Sequence, residues 1–185
     1  MTSPMAARGR DVRRRLTAAA VELIAEKGWS AVSTRMLAER AGVAPGLVHY
    51  HFPSLRALLT EAAIGAMREA VAGIEPASDL VDGLLGPLDA YTGRDPVSLV
   101  FVETYLAATR DEQVRSAISA LVAEFQGKVA GWLADRGVVA PEATAAVLMA
   151  TIDGLMVHRA LNPMARTDLR PVLRRLVEGG AVCGS

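Results

Sequence analysis

The segment from Ser33 to Phe52 constrains the fold of this chain most, because two short helical patterns meet there at a tight turn. The Ser33 hydroxyl can accept a hydrogen bond from an unpaired backbone N–H at the start of a helix. Gly42 can end that helix, since glycine adopts a left-handed backbone without a steric cost. Pro45 is tolerated in the first turn of the next helix. The segment therefore predicts a helix-turn-helix, a motif that reads DNA with its second helix.

Helical spacing also predicts which side chains of the motif are buried. In the first helix the apolar residues at this spacing are Met36, Leu37 and Ala41. In the second helix Val48 and Phe52 lie one turn apart and are predicted to point inward. The side chains expected to stay largely outside are those of Leu47, His49, Tyr50 and His51.

Composition and charge agree with a helical, DNA-binding protein. Of the 185 residues, 51% are hydrophobic but only 4% are aromatic, which favours packed helices over sheets and is enough for one or two compact units. The formal net charge is zero, but residues 1–60 hold nine Lys and Arg against four Asp and Glu, and residues 61–185 hold 11 against 16. The positive charge therefore lies in the part that contains the helix-turn-helix.

Residues 8–59 resemble the DNA-binding region of the TetR family of bacterial transcriptional regulators. The resemblance rests on Thr34 before a short apolar helix, on the Ala41-Gly42-Val43 turn, and on the aromatic and histidine-rich stretch that ends in Phe52. It implies an all-α fold with an N-terminal three-helix helix-turn-helix DNA-binding domain over residues 1–60. Residues 61–185 would then form a C-terminal helical domain for ligand binding and dimerisation.

The resemblance also implies the DNA contacts. Thr34 is expected to contact phosphate, and His49 and His51 fall where family members place side chains against phosphates. Arginine can donate two hydrogen bonds to guanine, and a hydroxyl suits phosphate. The residues expected to read bases are Arg35, Pro45, Gly46, Leu47 and Tyr50.

Two positions depart from the family pattern. Ala44 stands where the family has a small polar helix cap, and Leu55 where it commonly has a phosphate-binding lysine. Arg56 is the candidate to replace that lysine. The run Arg13-Arg14-Arg15 is either a solvated helix face or a phosphate-contacting surface. Because consecutive helical positions point in different directions, at most one or two of these arginines could reach the same DNA backbone.

Helical patterns with clear breakers account for the rest of the chain. Ser54 is a good helix cap, and Gly93, Gly137 and the Asn162-Pro163 step act as breakers. The predicted helices outside the motif are 12–27, 54–74, 78–91, 96–109, 111–136, 141–161 and 168–178.

The last two predicted helices carry an interaction signal. In TetR-like proteins the final two helices pair with those of a second subunit, so the resemblance implies a homodimer. Here the apolar residues recur along one face of each helix. The residues predicted to form the dimer interface are Leu148, Ile152, Leu155, Arg159, Val172, Leu173 and Leu176.

The resemblance further implies a small-molecule effector in the second half of the chain. Polar residues within apolar stretches and large apolar side chains are the candidates to line its cavity, although each is equally explained as core, as a buried ion pair or as an exposed helix face. The predicted contacts are Phe101, Glu103, Thr104, Tyr105, Trp132, Met149, Asp153 and Met156.

Other features exclude several classes. The arginine-rich start lacks the apolar run of a signal peptide, and Asp153, His158 and Arg159 are expected to keep the most apolar helix out of a membrane. The single Cys183 predicts neither a disulfide nor a metal cluster, which favours the reducing cytoplasm. A metal site of His49, His51 and His158 would lack further ligands at suitable spacing, so no metal or cofactor is expected.

Two other readings stay open at this point. An all-helical enzyme could use Glu103, Asp153 and His158 as acid and base, but the sequence contains no nucleophile motif and no phosphate-binding glycine loop. A helical interaction module could keep the helix-turn-helix shape without an operator, and the departures at Ala44 and Leu55 keep that alternative open. The sequence predicts above all a homodimeric, ligand-responsive regulator, a repressor by preference, that binds a near-palindromic double-stranded operator.

Overall fold

The computed structural model describes residues 4–162 and 168–178. Within these ranges the chain forms α-helices and short 3-10 helices and no strand, which confirms the predicted all-α class. Cys183 and Pro163 lie outside the described residues. The α-helices are α1 (Pro4–Lys27), α2 (Thr34–Ala41), α3 (Pro45–His51), α4 (Leu55–Ala72), α5 (Leu80–Leu85), α6 (Pro96–Ala108), α7 (Glu112–Ala134), α8 (Pro141–Leu161) and α9 (Arg170–Glu178), and the 3-10 helices are η1 (Trp29–Ala31) and η2 (Pro87–Ala90).

The predicted helix boundaries inside the motif are confirmed by their caps. The Ser33 hydroxyl accepts from the N–H of Met36 at 3.3 Å, and Gly42 ends α2 with a left-handed φ of 61°. The Ser54 hydroxyl accepts from the N–H of Ala57 at 3.0 Å at the start of α4. Ala44 begins α3 without a side-chain cap.

Two predicted helices differ from the structure. The first helix begins at Pro4, eight residues before the predicted start at residue 12. The predicted helix 78–91 is divided into α5 and η2 at Pro87, because proline has no N–H to continue the hydrogen-bond ladder.

The chain divides into two compact units, and their limits do not coincide with the predicted division at residue 60. The first unit comprises residues 1–68 and 95–118, and the second comprises residues 69–94 and 119–185. Residues 95–118 therefore belong with the helix-turn-helix by contact. The division by function at residue 60 stays a prediction.

The first unit is built around α1. Leu16, Ala20 and Ile24 of this helix are fully buried and pack with Leu37 of α2 and Val48 of α3. Val100 of α6 belongs to the same core. The inward orientation predicted for Leu37, Ala41, Val48 and Phe52 is confirmed, whereas Met36 is only partly buried.

The second unit has its own apolar core, formed by residues of α5, α7, α8 and α9. Among the described residues of α9, only Leu173 is buried. Val177 is partly buried and packs against the same core, so few apolar side chains hold this helix.

A ladder of ion pairs supplements these apolar contacts. Arg174 pairs with Asp79 at 2.6 Å and with Asp82 at 2.7 Å. Arg170 pairs with Asp82 at 3.1 Å and also with Asp89. Arg159 of α8 joins the ladder through Asp89 and donates to the carbonyl of Leu88. This ladder connects α9 with α5, η2 and α8.

We predict that acid releases α9 from the second unit. The N–H of Asp82 and then Arg174 hold the pKa of Asp79 below its ordinary 3.8, and Arg170 holds the pKa of Asp89 below the same value. A lowered folded-state pKa stabilises the fold above the ordinary pKa, and that contribution is lost as pH falls through the folded-state pKa. The second unit should therefore lose stability below about pH 4.

The two tryptophans allow this acid transition to be followed in one unit. Trp29 lies in the first unit and Trp132 in the second, so a Trp29→Phe variant reports on the second unit alone. In that background we expect Asp79→Asn with Asp89→Asn to lower the urea midpoint at neutral pH and to flatten its dependence between about pH 4 and pH 2. An unchanged acid dependence would contradict the role of the ladder.

The length and composition of α8 do not agree with the prediction that no segment of the chain is apolar enough to span a membrane. By length and composition it is long and apolar enough, with 21 residues and a mean hydropathy of 1.2 over 18 residues. Asp153 is outweighed by the apolar residues around it in that window. Core helices of soluble proteins can be equally long and apolar. Length and composition alone therefore do not show that α8 spans a membrane.

Candidate nucleic-acid interface

The outer face of α3 presents the side chains that were predicted to read bases. Tyr50 is 81% exposed, and its ring meets that of His51 edge to face with centroids 5.1 Å apart. Pro45, Gly46 and His49 are exposed, whereas Leu47 and His51 are partly buried. Tyr50 is too exposed to belong to the apolar core, so this face of α3 is available for a partner.

The start of α2 adds a free cation beside this face. Arg35 is exposed and makes no ion pair or hydrogen bond within the described part of the chain. Arg40 of the same helix is instead paired with Glu22 at 2.9 Å and with Glu26 at 2.7 Å. Thr34, at the first position of α2, is partly buried. Of the two arginines in α2, only Arg35 is thus unengaged.

The three consecutive arginines of α1 point in three directions, as the helical geometry predicts. Arg13 reaches Glu61 of α4 and the carbonyl of His51. Arg15 reaches the carbonyls of Ala41 and Gly42. Arg14, whose side chain is 79% exposed, pairs with Asp11 of its own helix.

Arg56, the candidate to replace the family's lysine, is already paired. Its Nε lies 2.8 Å from an Asp111 carboxylate oxygen, and Asp111 also accepts from the N–H of Gln113 at the start of α7. The Arg56 side chain remains 60% exposed. A phosphate contact by Arg56 therefore competes with Asp111 and stays a prediction.

The predicted effector contacts lie in both units. Phe101, Glu103, Thr104 and Tyr105 belong to the first unit, and Trp132, Met149, Asp153 and Met156 belong to the second. Phe101 and Tyr105 stack with ring centroids 4.6 Å apart, and Trp132 contacts Phe125 edge to face at 6.4 Å. Met149 and Met156 are buried.

Two of the polar candidates have structural partners. The Glu103 carboxylate accepts a hydrogen bond of 2.7 Å from the backbone N–H of Trp29. The Thr104 hydroxyl is fully buried and donates to the carbonyl of Val100 at 2.6 Å. The Glu103 contact joins α6 to the segment after α1, and the Thr104 contact satisfies a buried hydroxyl within α6 itself. The structure therefore supplies a reason for both residues that needs no ligand.

Two cavities of the described chain lie elsewhere. One of about 270 Å³ in the second unit is lined by residues that include Leu80, Val138 and Val177. An open groove of about 560 Å³ in the first unit is lined by residues that include Trp29, Arg56 and Asp111. Neither is lined by any of the eight predicted effector contacts.

The predicted dimer interface needs correction. Leu148, Ile152 and Leu173 are 2%, 7% and 5% exposed in the single chain, so they fill the core of their own unit and offer no surface to a partner. Leu155 and Arg159 are partly buried against that unit as well. Val172 and Leu176 remain available, with 53% and 40% exposure.

The opposite face of α8 carries the apolar surface that the sequence interpretation missed. Val147, Val157 and Leu161 are 50%, 38% and 79% exposed, and small residues lie between them. These positions follow the heptad spacing of a helix–helix seam, which is the signal that could have identified them. We call this set the α8 stripe, and it comprises Ala143, Val147, Ala150, Gly154, Val157 and Leu161.

Comparison with protein families gives two matches that together cover most of the chain. Residues 16–62 match the description "Bacterial regulatory proteins, tetR family". Residues 75–179 match the description "Tetracyclin repressor-like, C-terminal domain". Comparison with the curated proteins gives no match.

Solved structures share the fold over nearly the whole chain. Salmonella enterica GusR is similar with a TM-score of 0.77 and 24% identity, over 99% of each chain. The multidrug binding protein EbrR, complexed with malachite green, has a TM-score of 0.68 and 31% identity over 89% of this chain and 96% of its own. A transcriptional regulator from Saccharomonospora viridis in complex with choline has a TM-score of 0.68 and 21% identity, over 92% of this chain and 95% of that one.

Proposed function

Because this chain belongs to the tetR family of bacterial regulatory proteins, we propose that it is a homodimeric repressor that binds a near-palindromic operator and responds to a small molecule. Membership of this family implies a ligand-responsive transcriptional regulator with a helix-turn-helix. The proposal that it binds a specific operator rests on the exposed face of α3, which includes Tyr50, and on the unengaged Arg35 at the start of α2. Such a protein works in the cytoplasm, where its DNA lies.

The proposal assigns the DNA contacts by chemistry. Arg35 and Tyr50 read base edges in the major groove, with Pro45, Gly46 and Leu47 close to the bases. Thr34, His49 and His51 contact phosphates. Two copies of α3 reach successive major grooves when they lie about 34–36 Å apart.

The α8 stripe supports a second copy of this chain as its partner. A continuous row of exposed apolar and small residues allows two helices to approach closely, and an isologous dimer brings the same surface of each subunit together. Val172 and Leu176 of α9 extend the exposed apolar surface of the second unit. We assign the dimer interface to this stripe together with the outer face of α9.

The effector is proposed to be a small organic molecule. Two of the similar structures were solved in complex with malachite green and with choline, which supports the binding of a small organic molecule by this chain. Trp132, Met149, Asp153 and Met156, which share the second unit, are the residues we propose to be near it. A preference of the ligand for one dimer geometry of about 1–3 kcal/mol changes operator affinity some 5–150-fold.

The alternative functions make different demands on the same residues. An enzyme with Glu103 as an acid or base conflicts with the position of this carboxylate, which accepts from the Trp29 N–H. An interaction module without an operator would still bind DNA weakly through its positive charge, but without sequence preference. Sequence selectivity is therefore the property that distinguishes the proposed repressor.

We predict that Arg35→Ala and Tyr50→Ala each weaken operator binding by about 1–3 kcal/mol and relax the preference at the bases they contact. Thr34→Ala should weaken binding to all sequences alike, because a phosphate contact carries no base information. The measurement is fluorescence anisotropy with duplexes that the wild-type chain selects from a random pool, each compared with a scrambled duplex.

A matched control separates charge from recognition. Arg94→Ala removes the same charge from an exposed position of the second unit and should leave the preference between selected and scrambled duplexes unchanged. If Arg35→Ala behaves like this control, Arg35 does not read bases. If the wild-type chain shows no preference at moderate salt, the interaction-module alternative is correct.

A further inference from the structure

Two arginines of α1 end at the carboxyl termini of the two helices that form the helix-turn-helix. The last carbonyl groups of a helix have no partner within it, and a cation at that end also interacts favourably with the helix dipole. Arg15 serves the end of α2 and Arg13 serves the end of α3. One helix outside the motif thus caps both helices inside it.

Arg15 holds the turn between α2 and α3. Its Nε donates to the carbonyl of Ala41 at 2.9 Å, and its Nη2 donates to the carbonyl of Gly42 at 2.6 Å and also to that of Ala41. A Cβ at Gly42 would lie 3.2 Å from this Nη2. The turn therefore has a close fit to the guanidinium as well as the left-handed backbone that glycine provides.

Arg13 contacts the end of α3 with one of its side-chain nitrogens and Glu61 of α4 with the other two. Its Nη1 donates to the carbonyl of His51 at 2.9 Å, its Nε donates to Glu61 at 3.0 Å, and its Nη2 pairs with the other oxygen of Glu61. The guanidinium carbon lies 4.3 Å from the centroid of the Phe52 ring, in the range of a cation–π contact. Arg13 thus connects α1, the end of α3 and α4.

From these contacts we propose that Arg13 and Arg15 are positioning residues, which fix the orientation of α3 for DNA without contacting phosphate. The proposal rests on the proposed DNA-binding function and deepens it. Each of the two guanidinium groups makes three hydrogen bonds to backbone carbonyls or a carboxylate within the protein, so turning either group toward a phosphate would break contacts that hold α2 and α3. A fork of several donors on one planar group is also something lysine cannot reproduce.

Arg14 provides an internal control. It stands between the two positioning residues and carries the same charge, but its side chain is 79% exposed and its ion pair, at 2.7 Å, is with Asp11 of the same helix. The other Asp11 oxygen also lies 3.8 Å from Nη1 of Arg15, which is the longer of the two contacts. A change at Arg14 removes charge from the same surface without touching α2 or α3. Differences between Arg14 and its neighbours therefore report on position and not on charge.

The test compares Arg13→Gln, Arg14→Gln and Arg15→Gln in two assays. The first is the salt dependence of operator binding, in which each lost phosphate contact reduces the slope of log K against log salt by about 0.9, hence about 1.8 for two subunits. The second is amide hydrogen exchange of residues 42–52 in the protein without DNA, which reports the local opening of α3 and its turn.

We expect Arg13→Gln and Arg15→Gln to weaken operator binding about tenfold or more, to keep the wild-type salt slope, and to speed exchange of the turn and α3 by about tenfold. Arg14→Gln should leave exchange unchanged. Arg13→Lys and Arg15→Lys, which keep the charge, should behave like the Gln variants, whereas a phosphate contact would be largely rescued by lysine.

Each other outcome overturns the proposal. A salt slope reduced by about 1.8 with unchanged exchange would assign these arginines to phosphates, and rescue by lysine in both assays would do the same. If a Gln variant does not fold, the charge-preserving Lys variant is measured in its place and decides by the same criteria. If the wild-type chain selects no operator, the proposed function fails, but the exchange data without DNA still decide whether Arg13 and Arg15 hold α3.

Discussion

Val157→Asp should convert the protein from a dimer into a monomer and weaken operator binding more than about a hundredfold, because two linked half-site contacts gain at least that factor in avidity. Val157 lies on the α8 stripe and is 38% exposed in the single chain. The subunit can therefore hydrate an aspartate there and still fold. In the dimer the same carboxylate would be buried without a partner in both subunits, which is strongly unfavourable.

Sedimentation equilibrium measures the predicted dissociation, and circular dichroism confirms that the monomer stays helical. The matched control is Val139→Asp, the same substitution at a valine that is 57% exposed and precedes α8. This control should remain dimeric and bind DNA as the wild type does. A Val157→Asp protein that sediments as a dimer would show that the α8 stripe is not the interface.

Gly93→Ala should lower the free energy of unfolding by about 3 kcal/mol or more, since it adds a steric overlap to an unfavourable backbone conformation. Gly93 is buried with φ 85°. A Cβ there would lie 2.2 Å from the carbonyl carbon of Arg159 and 2.5 Å from the nitrogen of Ala160. Because both atoms belong to the backbone of α8, no side-chain rotation can relieve the contact.

The control for this prediction is Gly137→Ala. Gly137 has a similar φ of 71°, but nothing lies within 4 Å of the position that its Cβ would occupy. Gly137→Ala should therefore lower the free energy of unfolding by only about 1–2 kcal/mol, which is the cost of a left-handed backbone for alanine. Urea denaturation of both variants, followed by Trp132 in the Trp29→Phe background, separates the two contributions. Equal midpoints would mean that the close approach of residue 93 to α8 is not maintained in solution.

The helix-turn-helix was predictable because its signals are local. Ser33, Gly42 and Ser54 each determine a helix end through their own backbone or hydroxyl group, and the structure has all three where the sequence placed them. Val48 and Phe52 were recognised as buried because a short amphipathic helix on a small core has only one apolar face.

The second half of the chain was less predictable because α8 is apolar on two faces. One face contains Leu148 and Ile152, and the other contains Val147 and Val157. Periodicity finds both faces but cannot say which one meets the core of the same chain, since that depends on where α5, α7 and α9 pack. The sequence pattern predicts Leu148 and Ile152 for the dimer interface, but in the structure both side chains belong to the core of the second unit.

The role of Glu103 was also beyond local reasoning. A carboxylate in an apolar helix is compatible with a ligand, an ion pair or a backbone partner, and the N–H of Trp29 is 74 residues away in sequence. Likewise, nothing in the local pattern of Arg13 and Arg15 indicates that their partners are the ends of α2 and α3.

The hydrogen bond between Glu103 and Trp29, with Val100 in the core of the first unit, has a consequence for protein engineering. A chimaera that exchanges only residues 1–60 with those of another regulator would separate the N-terminal helices from α6, which packs against them. Swapping operator preference without loss of stability should require residues 95–118 to be transplanted together with the N-terminal segment, as a discontinuous cassette.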